Sequence, residues 1–171
     1  MYPSFIVEYG VAPHHLSKEV FVGIVKWLRE TRVEAKHTGR KLEADALKIV
    51  INRIYGALND AMDYLYDPEC TYTVTINLQL LLCGLIEAFE LNNFDVLSAN
   101  TDGLLVRLPL NRQGVFKHIC NEWSAYSKLD LETEKFEKYC RSAVNDYIAV
   151  GYGFYAVSYT HLRAHETLMN L

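Results

Sequence analysis

Arg29, Arg32 and Lys36 recur at i, i+3 and i+7, and Lys48, Asn52 and Tyr55 at i, i+4 and i+7. On a helix each set shares one face. If the two stripes face each other, Arg32, Lys36 and Lys48 repel unless an anion lies between them, and a triphosphate supplies that charge. Taken alone, each stripe reads as a solvated face. A second feature is Asp102, in the run Asn100-Thr101-Asp102-Gly103 between two apolar segments. A carboxylate at a hairpin tip is held rigidly enough to bind a divalent metal. One acid is not a site, because magnesium chemistry on phosphates takes two carboxylates plus substrate oxygens, and Asp95 sits at the wrong end of its strand to be the second. The same four residues also make a good turn.

The elements that must position these residues follow from apolar spacing. Ser17 caps a helix in which Val20, Phe21, Ile24, Val25 and Leu28 keep helical intervals, and Gly39 stops it. A second helix is predicted from Lys41 to Asn59, and the short Gly39-Arg40 connection makes the two an antiparallel hairpin. Leu78, Leu81, Leu82, Leu85, Ile86 and Phe89 predict a third helix over Asn77 to Leu91. Phe94 to Ser98 and Leu104 to Leu108 read as a β-hairpin, Val115 to Leu129 as a helix, and Leu131 to Val150 as strands.

At 171 residues the chain suits one domain with a real core, and its net charge of −4 is unevenly placed. Residues 18 to 53 hold nine Lys or Arg against five Asp or Glu, so that segment is +4 and the remainder −8. A basic segment in an acidic chain points to a local anion site more than to a DNA-coating surface, although two solvated helices give the same count. Apolar residues make up 50% and aromatics 12%, which excludes a disordered chain. Cys70, Cys83, Cys120 and Cys140 form no CxxC pair and no secretory segment follows Met1, so a reducing compartment and no disulfide are expected. Cys83, Cys120 and Cys140 are read as small core residues. His14 and His15 follow Pro13 in a loop, His37 and His118 have no partner at ligand spacing, and all four are assigned surface or capping roles. Leu80 to Phe89 is the longest apolar stretch, short of the roughly 18 residues of a membrane span, so no membrane partner is expected.

Three segments in order then carry a family resemblance: Met1-Tyr2-Pro3-Ser4, Lys48-Ile49-Val50-Ile51-Asn52-Arg53-Ile54-Tyr55-Gly56 and Asn100-Thr101-Asp102-Gly103. The first is similar to the end of DxxSLYPS, the second to KxxxNSxYG and the third to YxDTDS of the family B DNA polymerases, spaced as in a small viral or phage enzyme. The resemblance covers residues 1 to about 150. It implies an α+β fold, with an antiparallel palm sheet packed on helices and a helical-hairpin fingers insertion. Residues 1–16 would end the motif A region of the palm, 17–59 form the fingers and 60–156 the palm. The implied activity is DNA-directed DNA polymerase, adding dNTPs to a primer 3′-hydroxyl with two Mg2+ ions.

Residue by residue, the resemblance makes Asp102 the catalytic, metal-binding carboxylate. Arg32, Lys36, Lys48 and Asn52 would bind the incoming nucleotide, and Tyr2 would select its sugar by leaving no room for a 2′-hydroxyl. Tyr55 and Gly56 would lie beneath the nascent base pair, with Asn100 also on the DNA. Partners would be primer-template DNA and dNTP in a cytoplasm, that of the host if the protein is viral. The exonuclease, thumb and upstream palm would lie outside this chain, which is expected to be inactive alone. Three departures stand out. The motif A aspartate would fall five positions before Tyr2, Asn100 replaces the first motif C acid, and Arg53 and Gly103 stand where the family has serines. A noncatalytic nucleotide or nucleic-acid binding module of the same fold is the alternative. Val157 to Thr167 resembles a translated sequencing adapter, so 157–171 is read as a non-native tail.

Overall fold

A computed structural model of the chain describes residues 2–100, 103–143, 146–151 and 154–158. Two compact units divide at Leu131/Glu132. The first begins with helix α1 (Tyr2–Tyr9). It continues with α2 (Lys18–His37), α3 (Lys41–Ala57) and α4 (Pro68–Leu91), then strands β1 (Val96–Asn100) and β2 (Gly103–Val106), and ends with helix α5 (Gln113–Ser127). The second holds β3 (Phe136–Ala143), β4 (Asp146–Gly151) and β5 (Phe154–Ser158). These three form an antiparallel sheet in the order β3-β4-β5. Helices beside antiparallel sheets, with a helical hairpin between α1 and α4, make the α+β class expected from the sequence.

The α2–α3 hairpin forms for the reasons read from the sequence. Ser17 Oγ accepts from the Val20 N–H, and Phe21, Val25, Leu28 and Ala35 make the buried stripe of α2. Gly39 has φ +73°, a left-handed conformation that ends the helix at little cost to a residue without Cβ. The Arg40 N–H returns to the Ala35 carbonyl at 2.9 Å, and Arg40 also bonds Thr38 Oγ1, Glu34 and Glu43 across the turn. Buried residues of α3 are few, Ile51 and Ala57.

The core gathers around α4. Cys70, Val74, Leu78, Leu82, Leu85 and Phe89 fall at three- and four-residue intervals and pack with Phe5 and Ile6 of α1, Phe21 and Val25 of α2, and Ile119 and Trp123 of α5. Trp123 Nε1 donates to the Leu81 carbonyl at 2.7 Å, which ties α5 to α4 without leaving the indole N–H unpaired. Helix α4 starts nine residues before the predicted Asn77, and by length and composition it could also cross a membrane. Its buried stripe is the one a core helix shows.

Its early start has a clear cause. Asp67 caps it, with Oδ1 accepting from the Cys70 N–H at 2.9 Å, and Pro68 takes the first turn, where its missing N–H costs nothing. Asp67 Oδ2 accepts from both the backbone N–H and the ring Nδ1 of His14, each at 2.8 Å. The capping role expected for His14 is thus exercised through Asp67. Among the cysteines the expectation holds for Cys120, which is half-buried against the core, and fails for Cys83 and Cys140, which are exposed, while Cys70, on the core stripe of α4, is buried. All four are free thiols.

Strands β1 and β2 pair antiparallel, Asn100 opposite Gly103, with a register shift between Val96 and Ser98. The first strand therefore reaches two residues, and the second one residue, nearer the tip than the apolar runs predict. Val96, Leu104 and Val106 pack on the core.

Candidate functional site

The expected site residues sit on four elements. Tyr2 is on α1, Arg32 and Lys36 on α2, Lys48, Asn52, Tyr55 and Gly56 on α3, and Asn100 at the end of β1. Asp102 lies outside the described residues, between the paired positions Asn100 and Gly103.

The clearest convergence is between Tyr2 and Tyr55. Their rings stack with centroids 4.0 Å apart and planes within 5°. The Tyr55 hydroxyl is 2.6 Å from Thr75 Oγ1 on α4, so three helices meet at one aromatic pair. Gly56 follows on the exposed side of α3, and a Cβ built there meets nothing within 4 Å. A flat ring, an open backbone and a second flat ring make a surface on which a planar group can lie.

The cations of the hairpin fall into two groups. Arg29 reaches Glu8 at 3.7 Å and Asp130 at 3.9 Å, Arg40 reaches Glu43 at 2.9 Å, and Arg53 reaches Asp63 at 2.8 Å and Asp60 at 3.3 Å. Arg29 therefore leaves the stripe that the sequence spacing gave it. The bonds of Arg53 also account for the arginine where a serine was expected: its side chain fastens the end of α3 to the loop at 60–63. Arg32, Lys36, Lys48 and Asn52 form no side-chain hydrogen bond or ion pair with any described residue; Arg32 is half-buried and the other three are exposed. Arg32 is seven residues before Gly39 and Lys48 nine after it, so on packed antiparallel helices they differ in height by only about 3 Å; Lys36 lies roughly one turn nearer the tip.

Electrostatics elsewhere are tied up in structure. Burial works against ionisation of Asp67, but the N–H groups of Cys70 and His14 and the His14 ring outweigh it and hold the carboxyl down to about 2. The hydrogen bond to Asp67 raises the His14 imidazole above its ordinary value. Burial, reinforced by Asp67, pushes the Cys70 thiol up to about 11, which makes it unreactive. Asp95 pairs with Arg107 at 3.1 Å, at the open end of the hairpin, and is not a second acid for the tip.

The described residues do not make up a magnesium site. No three His, Cys, Asp or Glu side chains among them cluster suitably for a metal, and of the described residues at the tip Asn100 is a neutral amide and Gly103 has no side chain.

Sequence spacing alone missed the Tyr2–Tyr55 stack and the role of Thr75. Tyr2 lies on a helix that went unread, and Thr75 lies in the unread first turns of α4. The signal for the second was present: Asp67-Pro68 is a helix start.

No family model matches the chain. It is 31% identical over 77 residues to DNA polymerase II of Escherichia coli (strain K12), a match that covers 45% of this chain and 10% of that protein. Its structure superposes on the family B DNA polymerase of the hyperthermophilic archaeon Pyrobaculum calidifontis with a TM-score of 0.66 and 18% identity, over 92% of this chain and 26% of that one. The chain thus spans about a tenth of its curated relative's length, is similar to it in sequence, and has the fold of one part of a family B DNA polymerase.

Proposed function

We propose that the chain is the palm-and-fingers part of a DNA-directed DNA polymerase of family B, of viral or phage type. In this reading 17–59 are the fingers, flanked by palm at 1–16 and 60–156, and the protein works in the cytoplasm. Its partners are a dNTP and primer-template DNA. Arg32, Lys36 and Lys48 neutralise the triphosphate and Asn52 helps to hold it. Tyr2 lies against the sugar, while Tyr55 and Gly56 support the nascent base pair, with Asn100 also on the DNA. Asp102 is the acid that would serve the metal. The two magnesium ions need carboxylates beyond those described here, so the work derived for this chain is binding, orientation and sugar choice.

One observation carries the reading. The hairpin side chains that the resemblance gives to the nucleotide have no protein partner among the described residues, whereas Arg29, Arg40 and Arg53 are already paired with carboxylates. Photocrosslinking with an azido-dATP, followed by peptide mapping, tests it. Labels on Tyr2 and on α2 and α3 support the reading, and labels confined to other segments contradict it.

A second reading has its own support in Asn100. Replacing a metal-binding acid with an amide suits a noncatalytic nucleotide or nucleic-acid binding module. The readings part at the codon five positions before Tyr2 in the genomic sequence: aspartate supports the enzyme and any other residue the binder. The 171 residues alone are expected to give no metal-dependent primer extension.

A further inference from the structure

The ring of Tyr55 is held from two directions. Its face lies on Tyr2, and its hydroxyl is 2.6 Å from Thr75 Oγ1. Thr75 Oγ1 also lies 2.8 Å from the Thr71 carbonyl, which can only accept. The single proton of the Thr75 hydroxyl is therefore committed to the backbone of α4, and its oxygen accepts from the Tyr55 hydroxyl. Thr71 is buried, and its own hydroxyl donates to the Asp67 carbonyl at 3.2 Å. The chain of bonds thus runs from the capped, buried start of α4 outward to a half-buried aromatic pair.

We propose that Thr75 is a positioning residue for sugar selection: by fixing the plane of Tyr55 it fixes the plane of Tyr2 stacked upon it. This rests on the sugar-selecting role proposed for Tyr2. A ring that rejects a 2′-hydroxyl must stay in place, because a displacement of about 1 Å makes room for the extra oxygen. Tyr2 stands at the first turn of an eight-residue helix, and partly exposed side chains change rotamer within nanoseconds unless packing holds them. Tyr2 and Tyr55 both pack against the core, and the Thr75 bond adds a directional restraint from α4 on the plane of Tyr55 and so on the ring of Tyr2 stacked upon it.

The test compares Thr75→Val, which keeps the shape and loses the hydroxyl, with Thr75→Ser, which keeps the hydroxyl, and with Tyr2→Ala. Each chain is titrated with dATP and with ATP, and the ring proton shifts of Tyr2 and Tyr55 are read by NMR. Thr75→Val is expected to cut the preference for dATP by about threefold to tenfold, mainly by admitting ATP, as loss of one hydrogen bond would. The mutual ring shifts should shrink with it, and Thr75→Ser should restore both. If Tyr2→Ala abolishes the preference while Thr75→Val leaves preference and ring shifts intact, the positioning role is overturned and the proposed function stands. If the unaltered chain shows no preference, or Tyr2→Ala leaves it unchanged, the role of Tyr2 fails and that of Thr75 falls with it.

Discussion

The α2–α3 hairpin and the body built on α1, α4 and α5 divide the work of the first unit. In the body, α4 puts six core side chains in one stripe, and its start is capped by an acid that a second segment also holds. In the hairpin, α3 has no side-chain cap, only two buried residues, and Leu42 and Ile49 at 88% and 71% exposure. Asp67, His14, Thr75 and Trp123 of the body are engaged in structural hydrogen bonds, while Arg32, Lys36 and Lys48 of the hairpin have no partner among the described residues. Helix α4 supplies the largest share of the core, while the groups proposed for the nucleotide lie mainly on α2 and α3, with Tyr2 of α1 the exception and Tyr55 and Thr75 as the joint.

Substitutions should separate the two regions, and the core contrast is the largest. Leu78, 1% exposed on α4, should cost about 2–5 kcal/mol as Leu78→Ala, whereas Leu42→Ala on α3 should stay within about 0.5 kcal/mol, both read by urea unfolding. Comparable losses would show that the hairpin carries as much of the core as the body.

The cap comes next. Asp67→Ala should destabilise by about 1–2 kcal/mol, since it removes the cap of α4 and strands the His14 N–H. Because the folded carboxyl sits at about 2, below its ordinary 3.8, its contribution is present above 3.8 and is lost as pH falls through about 2. For His14 the sign is opposite: its pKa is raised, so its contribution is full below 6.5 and fades as pH rises through the raised value. Unfolding midpoints of Asp67→Ala should lack both dependences; a curve parallel to that of the unaltered chain would refute the pairing.

Gly56 gives a small effect on folding and the sharpest conflict between folding and function. Alanine there meets no atom within 4 Å and favours helix, so Gly56→Ala should stabilise the chain by up to about 1 kcal/mol. The added methyl should weaken primer-template binding, measured by fluorescence anisotropy. Stabilisation with unchanged binding would remove Gly56 from the proposed DNA surface.

How far the sequence disclosed this depends on where each signal lies. The hairpin was legible because cap, apolar stripe and stop, Ser17 to Gly39, are local features. The β1–β2 pair and the strands β3 and β4 were legible as apolar-rich runs, although their ends moved by a few residues, whereas β5 lies beyond the strand region read from the sequence and ends in the segment read as a tail. Helix α1 was not legible, because eight residues are too short for periodicity to speak, and the first turns of α4 were missed despite the Asp67-Pro68 start because threonines at 71, 73 and 75 interrupt its apolar pattern. Of the candidate site, spacing found the cations. It could not tell which would be neutralised, because Glu8, Asp60, Asp63 and Asp130 reach Arg29 and Arg53 only after folding. The tyrosine stack is likewise a tertiary fact.

The most direct test of the central claim is dATP affinity of two lysine or arginine deletions on the same helix, α3. Lys48→Ala, which removes a cation with no partner among the described residues, should weaken dATP binding about tenfold and leave unfolding within about 0.5 kcal/mol. Arg53→Ala, which removes a cation already bound to Asp60 and Asp63, should leave dATP affinity unchanged. Equal affinity in Lys48→Ala and the unaltered chain, or an equal loss in both variants, would contradict the claim that the unpaired cations of the hairpin grip the nucleotide.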